Sequence, residues 1–217
     1  MTRHPLIYTP KSLDVIVLRG QWYNPFWPVI AFKTQSRWTH CVQVRGADGR
    51  IFDAHTKGVE CRSINNYAGR YAAVLRRRDI DQIPLIDKIK MITWADALVE
   101  AHNQYDFTAL IGFVLGITFF ESDDKWYCAE LPYWMWEYHG YPMFNQELTF
   151  VYPSDHYRSR VYYIVAEGVI EHEKDYGVGA GVTDVGGRGV CGDENPELCL
   201  EPTRISNGFC GVEIISV

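Results

Sequence analysis

The sequence has neither an excess of basic residues nor a hydrophobic run long enough to cross a bilayer. Its 21 Lys and Arg residues are outnumbered by 27 Asp and Glu residues, which gives a net charge of −6. Proteins that follow the phosphates of nucleic acid carry the opposite excess, so nucleic acid is not expected as a partner. The longest apolar stretch, 107–120, falls short of the ~20 residues that a transmembrane helix needs, and it predicts a buried helix.

Motifs for metal binding and for secretion are also missing. The six cysteines form no C-x-x-C pair, and no H-x-x-x-H motif is present. We therefore expect no metal and no cofactor. No apolar segment typical of a secretory signal follows the first residues, which favours a soluble protein, cytoplasmic or part of an assembled particle, with reduced thiols. Cys191, Cys199 and Cys210 can pair with one another only in an oxidising environment.

The chain is large enough for one domain with a substantial core. It has 217 residues, 47% of them hydrophobic, and its 14 Tyr, 10 Phe and 7 Trp residues supply large side chains for a core or a pocket wall. Composition changes near residue 170, because residues 170–217 hold nine acidic residues, three basic residues and half of the 18 glycines. This predicts a domain at 1–169 and a Gly-rich acidic extension at 170–217, a kind of segment that often orders against a protein partner.

Strand-like runs dominate the first third of the chain, and helical patterns follow. Runs rich in β-branched and aromatic residues predict strands at 13–18, 39–45, 50–55, 71–78 and 160–166. Helical spacing and end signals predict helices at 29–36, 84–104, 107–120 and 125–138. This order is typical of an α+β domain. The basic run at 76–78 is expected to be a solvated strand end.

Cys128 is the most informative residue, because it lies at the start of the helix predicted at 125–138. Pro132 follows closely, and proline fits only near the start of a helix. A thiol at a helix N-terminus feels the positive end of the helix dipole, which favours the nucleophilic thiolate. The alternative is a buried, inert cysteine, which is the usual state of a free thiol in a core.

A cysteine nucleophile needs a base, and the base needs an orienting partner. The Gly-Ala-Asp-Gly segment at 46–49 joins two strand-like runs, which is typical of a β-hairpin. With Ala47-Asp48 as the loop, His40 lies opposite His55. Any loop of even length puts His40 on the same face as Asp53, whereas an odd loop or a bulge turns Asp53 away. His40 bonded to backbone in a core is the alternative, but a buried carboxylate on the same face needs a partner and favours function.

These segments together resemble the circularly permuted papain-like cysteine hydrolases. This family includes the YiiX-like group and is related to NlpC-type peptidases and lecithin:retinol acyltransferase-like enzymes. The resemblance rests on segments 39–44, 52–54, 57–59 and 127–131, with the His segment ahead of the Cys segment as in the permuted branch, and on a closing segment at 153–159. It covers about residues 13 to 166.

The resemblance implies a permuted papain-like α+β fold in which an antiparallel sheet packs on the helix that carries the nucleophile. It assigns Cys128 as the nucleophile, His40 as the general base and Asp53 as the residue that orients the imidazole. The family often has Glu or His at the third position, so Asp53 departs in residue type, and His55 is the alternative orienting residue. The backbone N–H of Cys128 is the expected first oxyanion donor, and the second donor stays open.

The function expected from this set is a thiol hydrolase that cleaves an amide bond in a peptide, isopeptide or cell-wall peptide through an acyl-enzyme. A lipid-directed acyl hydrolase or acyltransferase is one alternative, since the abundant aromatic residues permit an acyl pocket. The other is a non-catalytic structural or binding component of a larger assembly. The acidic extension favours that alternative, and the complete set of Cys, His and Asp argues against it.

Overall fold

The computed structural model describes residues 4–20, 27–55, 57–101, 126–144 and 150–171. Six strands are present there: β1 (Val15–Arg19), β2 (Trp38–Val44), β3 (Arg50–His55), β4 (Gly58–Ser63), β5 (Tyr71–Arg77) and β6 (Tyr162–Val169). The helices are α1 (Trp27–Thr34), α2 (Leu85–Glu100), α3 (Glu130–Glu137) and α4 (Pro153–Arg158), and a 3-10 turn spans Ile64–Tyr67. Strand β4 and helix α4 were not predicted as regular elements.

The six strands form one antiparallel sheet in the order β4-β3-β2-β1-β5-β6. Strand β1 lies near the centre, and its residues from Val15 to Leu18 are all buried. A short, continuous apolar run is typical of a strand that is covered on both faces. The predicted α+β class and the antiparallel sheet are therefore confirmed.

The two faces of the sheet belong to two hydrophobic cores. On one face, Cys41 and Phe52 pack in a cluster that includes Trp136 of α3. On the other face, Val42 and Ile51 belong to a second cluster, which the N-terminal segment and the 3-10 turn cover in part. The sheet thus packs on α3, as predicted, and the face that His40 shares with Val42 is also largely removed from water.

Ile170 belongs to the folded part of the chain. It is buried, its N–H bonds to the Arg70 carbonyl at 2.9 Å, and its carbonyl accepts the Gly69 N–H at 2.7 Å. All of the described residues lie in one compact unit. Several features named from the sequence lie outside the described residues: Cys191, Cys199 and Cys210, most of the extension, and the helix predicted at 107–120. Within the described ranges, none of the helices has the length and apolar character needed to cross a membrane.

The expectation that the basic run at 76–78 is solvated is wrong for its first two arginines. Arg76 is buried and makes two hydrogen bonds to the Asp14 carboxylate, both at 2.7 Å. Tyr8 donates its hydroxyl to the same carboxylate at 2.5 Å. Arg77 is also buried, and it donates to the Tyr141 carbonyl at 2.8 Å. The local sequence could not reveal these partners, because they come from distant segments of the chain.

Candidate active site

The β2–β3 hairpin sets the geometry of the site. Val44 pairs with Ile51, which is the register predicted for a loop of even length. Gly49 closes the turn with φ of 74°, a backbone conformation that glycine adopts without steric cost. The same offset puts His40 and Asp53 on one face as diagonal neighbours, within reach of each other's side chains. The predicted register is confirmed.

His40 and Asp53 are joined by a hydrogen bond. Nε2 of His40 lies 2.9 Å from Oδ1 of Asp53, and the aspartate side chain is 0% exposed. Tyr67, from the 3-10 turn, donates its hydroxyl to Oδ2 at 2.5 Å and lies 2.9 Å from the same Nε2. Arg62 of β4 donates to Oδ2 at 3.2 Å. Both carboxylate oxygens are therefore occupied, and Asp53 and Tyr67 both contact the same nitrogen of the imidazole.

Cys128 lies in the turn that leads into α3. The helix begins at Glu130, whose N–H bonds to the Tyr127 carbonyl at 3.1 Å. Pro132 is the third helical residue, where its missing N–H leaves no helical hydrogen bond unmade. The cysteine thus stands just ahead of the helix and not within its first turn, because the chain completes a separate turn at 127–130 first.

The Cys128 thiol interacts with two residues of β2, the Cys41 thiol and the His40 imidazole. A hydrogen bond from Cys41 and the positive charge of His40 hold the pKa of Cys128 well below its usual range, against the opposing effect of burial. Burial lowers the pKa of His40, whereas Cys128 and Asp53 raise it, and the result is a pKa of about 9. These directions favour a thiolate facing an imidazolium at neutral pH.

Asp53 stays ionised in the same range of pH. Burial alone raises the pKa of its carboxyl group, but the charge of His40 and the hydrogen bonds from His40 and Tyr67 lower the pKa to about 2. A buried carboxylate with these partners supplies a permanent negative charge beside the imidazole.

Two further side chains hold carbonyl groups of the turn around the cysteine. The Cys41 thiol donates to the carbonyl oxygen of Cys128 at 3.2 Å. His156 of α4 is buried, and its Nε2 donates to the Ala129 carbonyl at 2.9 Å. Burial lowers the pKa of His156 to about 4, so it is neutral near pH 7. These contacts fix the backbone that presents the thiol.

The sequence alone did not reveal the roles of Tyr67, Cys41 and His156. Tyr67 lies in a short turn without a recognisable pattern, and Cys41 points away from the face that His40 and Asp53 share. His156 lies in the closing segment of the family resemblance, which was the one signal available for it. The alternative orienting residue, His55, bonds instead to Glu60, with Nε2 and Oε2 2.8 Å apart.

In class, the molecule is an α+β protein with one antiparallel sheet, in which His40 bonds to the buried Asp53. It is similar to the crystal structure of the metalloprotein YiiX from Escherichia coli, with a TM-score of 0.58 and 16% sequence identity. The match covers 75% of this chain and 99% of that chain. The chain therefore has a YiiX-like fold. No family model matches the sequence, and neither does any curated protein.

The site residues do not fit a metal centre. In the part of the chain that the structure describes, no three His, Cys, Asp or Glu side chains are grouped so that they hold a metal ion. Nε2 of His40 is taken by Asp53 and Tyr67, and the Asp53 oxygens are bonded to side chains. We therefore assign no step to a metal.

Proposed function

We propose that this protein is a thiol hydrolase that cleaves an amide bond of a peptide, isopeptide or cell-wall peptide. One observation carries the proposal: Cys128, His40 and Asp53 interact in that order, since the His40 charge lowers the pKa of the Cys128 thiol and Nε2 of His40 lies 2.9 Å from Oδ1 of Asp53. This is the order in which a nucleophile, its base and an orienting group act. The YiiX-like fold and the position of the His strand ahead of the Cys turn support a permuted papain-like relationship.

The imidazole has a separate nitrogen for each partner. Because Nε2 faces Asp53 and Tyr67, Nδ1 is the nitrogen that exchanges a proton with the Cys128 thiol. The carboxylate keeps the proton on Nε2 when the ring is neutral and stabilises the imidazolium when the ring is charged. Tyr67 acts as a positioning residue, because its hydroxyl contacts both the Asp53 carboxylate and the His40 ring.

The reaction follows from this arrangement. The Cys128 thiolate attacks the amide carbonyl carbon, and the new oxyanion is met by the backbone N–H of Cys128. The C–N bond breaks as the His40 imidazolium gives its proton to the leaving amine, which leaves an acyl-enzyme. Neutral His40 then takes a proton from water, the hydroxide attacks the thioester, and the carboxylic acid product and the thiolate are released.

A burst experiment tests the proposal. Mixing the protein with p-nitrophenyl acetate should release one equivalent of nitrophenol rapidly, because the first acyl transfer precedes hydrolysis. Cys128→Ala should abolish the burst, and Cys61→Ala should retain it, since Cys61 lies on β4 away from these contacts. A full burst from Cys128→Ala would contradict the proposal. No burst from the wild-type protein would favour a non-catalytic binding component.

Substrate class is tested on the same thiol. Peptide amides and phospholipid vesicles are each mixed with the protein, the reaction is quenched with acid, and the intact mass is measured. An acyl adduct on Cys128 from peptides supports the amide hydrolase. An adduct formed from phospholipids alone would replace it with the lipid-directed acyl hydrolase or acyltransferase.

A further inference from the structure

Cys41 is a buried thiol that the proposed hydrolysis does not consume. It is 1% exposed, it follows His40 directly on β2, and its Sγ donates to the carbonyl oxygen of Cys128 at 3.2 Å. The two thiols also interact electrostatically, since each shifts the pKa of the other. Catalysis by thiol, base and acid does not require a second thiol at this position. Its closeness to the nucleophile therefore calls for a separate explanation.

We propose that Cys41 is a resolving thiol, which forms a reversible disulfide with Cys128 after a peroxide has oxidised the nucleophile. This inference rests on the proposed function only in taking Cys128 as a thiolate. It assigns a modification site to the pair and makes hydrolysis sensitive to oxidation.

The chemistry takes two balanced steps. In the first, the Cys128 thiolate attacks one oxygen of hydrogen peroxide, so that an S–O bond forms, the O–O bond breaks and hydroxide leaves; sulfur is oxidised and peroxide is reduced. In the second, the sulfur of Cys41 attacks the sulfenic sulfur. The S–S bond forms, the S–O bond breaks, and the departing hydroxide leaves with the Cys41 proton as water.

The charges favour this order of events. Burial raises the pKa of Cys41, and the neighbouring Cys128 thiolate raises it further, so Cys41 stays protonated while the nucleophile is active. Conversion of Cys128 to the neutral sulfenic acid removes that negative charge and eases deprotonation of Cys41. Cys128 is 7% exposed, which admits a small oxidant more readily than it admits a second protein thiol.

Cys61 provides a matched control. It is a free cysteine of the same sheet, on β4, and it is more exposed than either partner. Its pKa is raised by burial. Because it stays protonated, it should oxidise slowly even though it is more exposed.

The experiment treats the full chain with hydrogen peroxide, blocks the remaining thiols with N-ethylmaleimide, and maps the linked peptides by mass spectrometry without reduction. A peptide pair linking Cys41 to Cys128 is expected in the wild type and in Cys61→Ser, and dithiothreitol should restore the nitrophenol burst. In Cys41→Ser, Cys128 should advance to sulfinic acid, and the reductant should not restore the burst.

Two results would overturn the inference. Oxidation of Cys128 to sulfinic acid in the wild type, without a link to Cys41, would show that Cys41 does not resolve the sulfenic acid while leaving the hydrolase proposal intact. If Cys128 is oxidised no faster than Cys61, it is not a thiolate, and both proposals fail. Both measurements use the wild-type protein, so they decide the question even if Cys41→Ser does not fold.

Discussion

Asp53 and Glu60 lie directly opposite each other on β3 and β4. Two carboxylates facing each other across a strand pair repel, and the structure gives each one its own base. Asp53 bonds to His40, and Glu60 bonds to His55. This division explains why His55 bonds to Glu60, although it lies on the same face as His40, the imidazole that faces Cys128.

The first prediction concerns the pH dependence of kcat/KM. A protonated His40 must give its proton to the leaving amine, so activity should fall as pH rises through its pKa of about 9. The Asp53 carboxylate raises that pKa, so Asp53→Asn should move the basic limb to lower pH and leave a measurable remnant of activity. Cys128→Ala and His40→Ala should abolish turnover.

Glu60→Gln is the matched control for this pH profile, because it neutralises the carboxylate opposite Asp53 without touching His40. Its basic limb should stay at the wild-type position. The assignment of Asp53 as the orienting residue fails if Glu60→Gln shifts the limb as far as Asp53→Asn does.

Removal of the Tyr67 hydroxyl should weaken both stability and turnover. Tyr67→Phe removes one hydrogen bond to the buried Asp53 carboxylate. This loss should lower the free energy of unfolding by about 1.5–3 kcal/mol. It also loosens the imidazole, so kcat should fall while KM changes little. Tyr163→Phe, on an exposed edge-strand tyrosine, should change neither quantity. Equal losses from both variants would exclude a positioning role for Tyr67.

The buried pair of Arg76 and Asp14 should be essential to the core. Arg76→Met leaves the carboxylate buried without its cation, and breaking such a pair costs about 3–5 kcal/mol. Arg78→Met, at the exposed end of the same basic run, should cost within about 1 kcal/mol. Urea unfolding of both variants measures the difference. A similar midpoint for the two would mean that the pair contributes little.

A chain ended after Ile170 should remain folded. Ile170 is buried and completes the hydrogen bonds to Arg70 and Gly69, so this truncation keeps every described strand. A cooperative thermal transition is expected. A chain ended before Tyr162 lacks β6 and should lose that transition. Loss of cooperativity in the longer fragment as well would make residues 171–217 part of the folded domain.

Local patterns predicted much of the fold. The alternation of β2 and β3, with an Asp-Gly turn between them, was enough to place Asp53 beside His40. The sequence also placed Cys128 near the start of a helix, although it lies in a separate turn just ahead of that helix. These features depend on neighbours in the sequence or on one hairpin.

Partners that depend on tertiary contacts could not be predicted. Tyr67 reaches Asp53 only because β4 folds back along β3 and the 3-10 turn directly follows β4. Arg76 meets Asp14 because β5 pairs with β1, a contact between strands far apart in the sequence. Cys41 reaches the Cys128 turn from the sheet face that packs on α3, whereas the hairpin pattern was read only for the face of His40.

The rate at which iodoacetamide alkylates Cys128, followed against pH by mass spectrometry, shows directly whether Cys128 and His40 form a thiolate–imidazolium pair. The thiolate–imidazolium pair predicts that Cys128 reacts faster than Cys41 and Cys61 near neutral pH, and that its rate persists into mild acid. His40→Ala should remove that advantage. A Cys128 rate that rises only near the ordinary thiol pKa and is unchanged in His40→Ala would contradict the account.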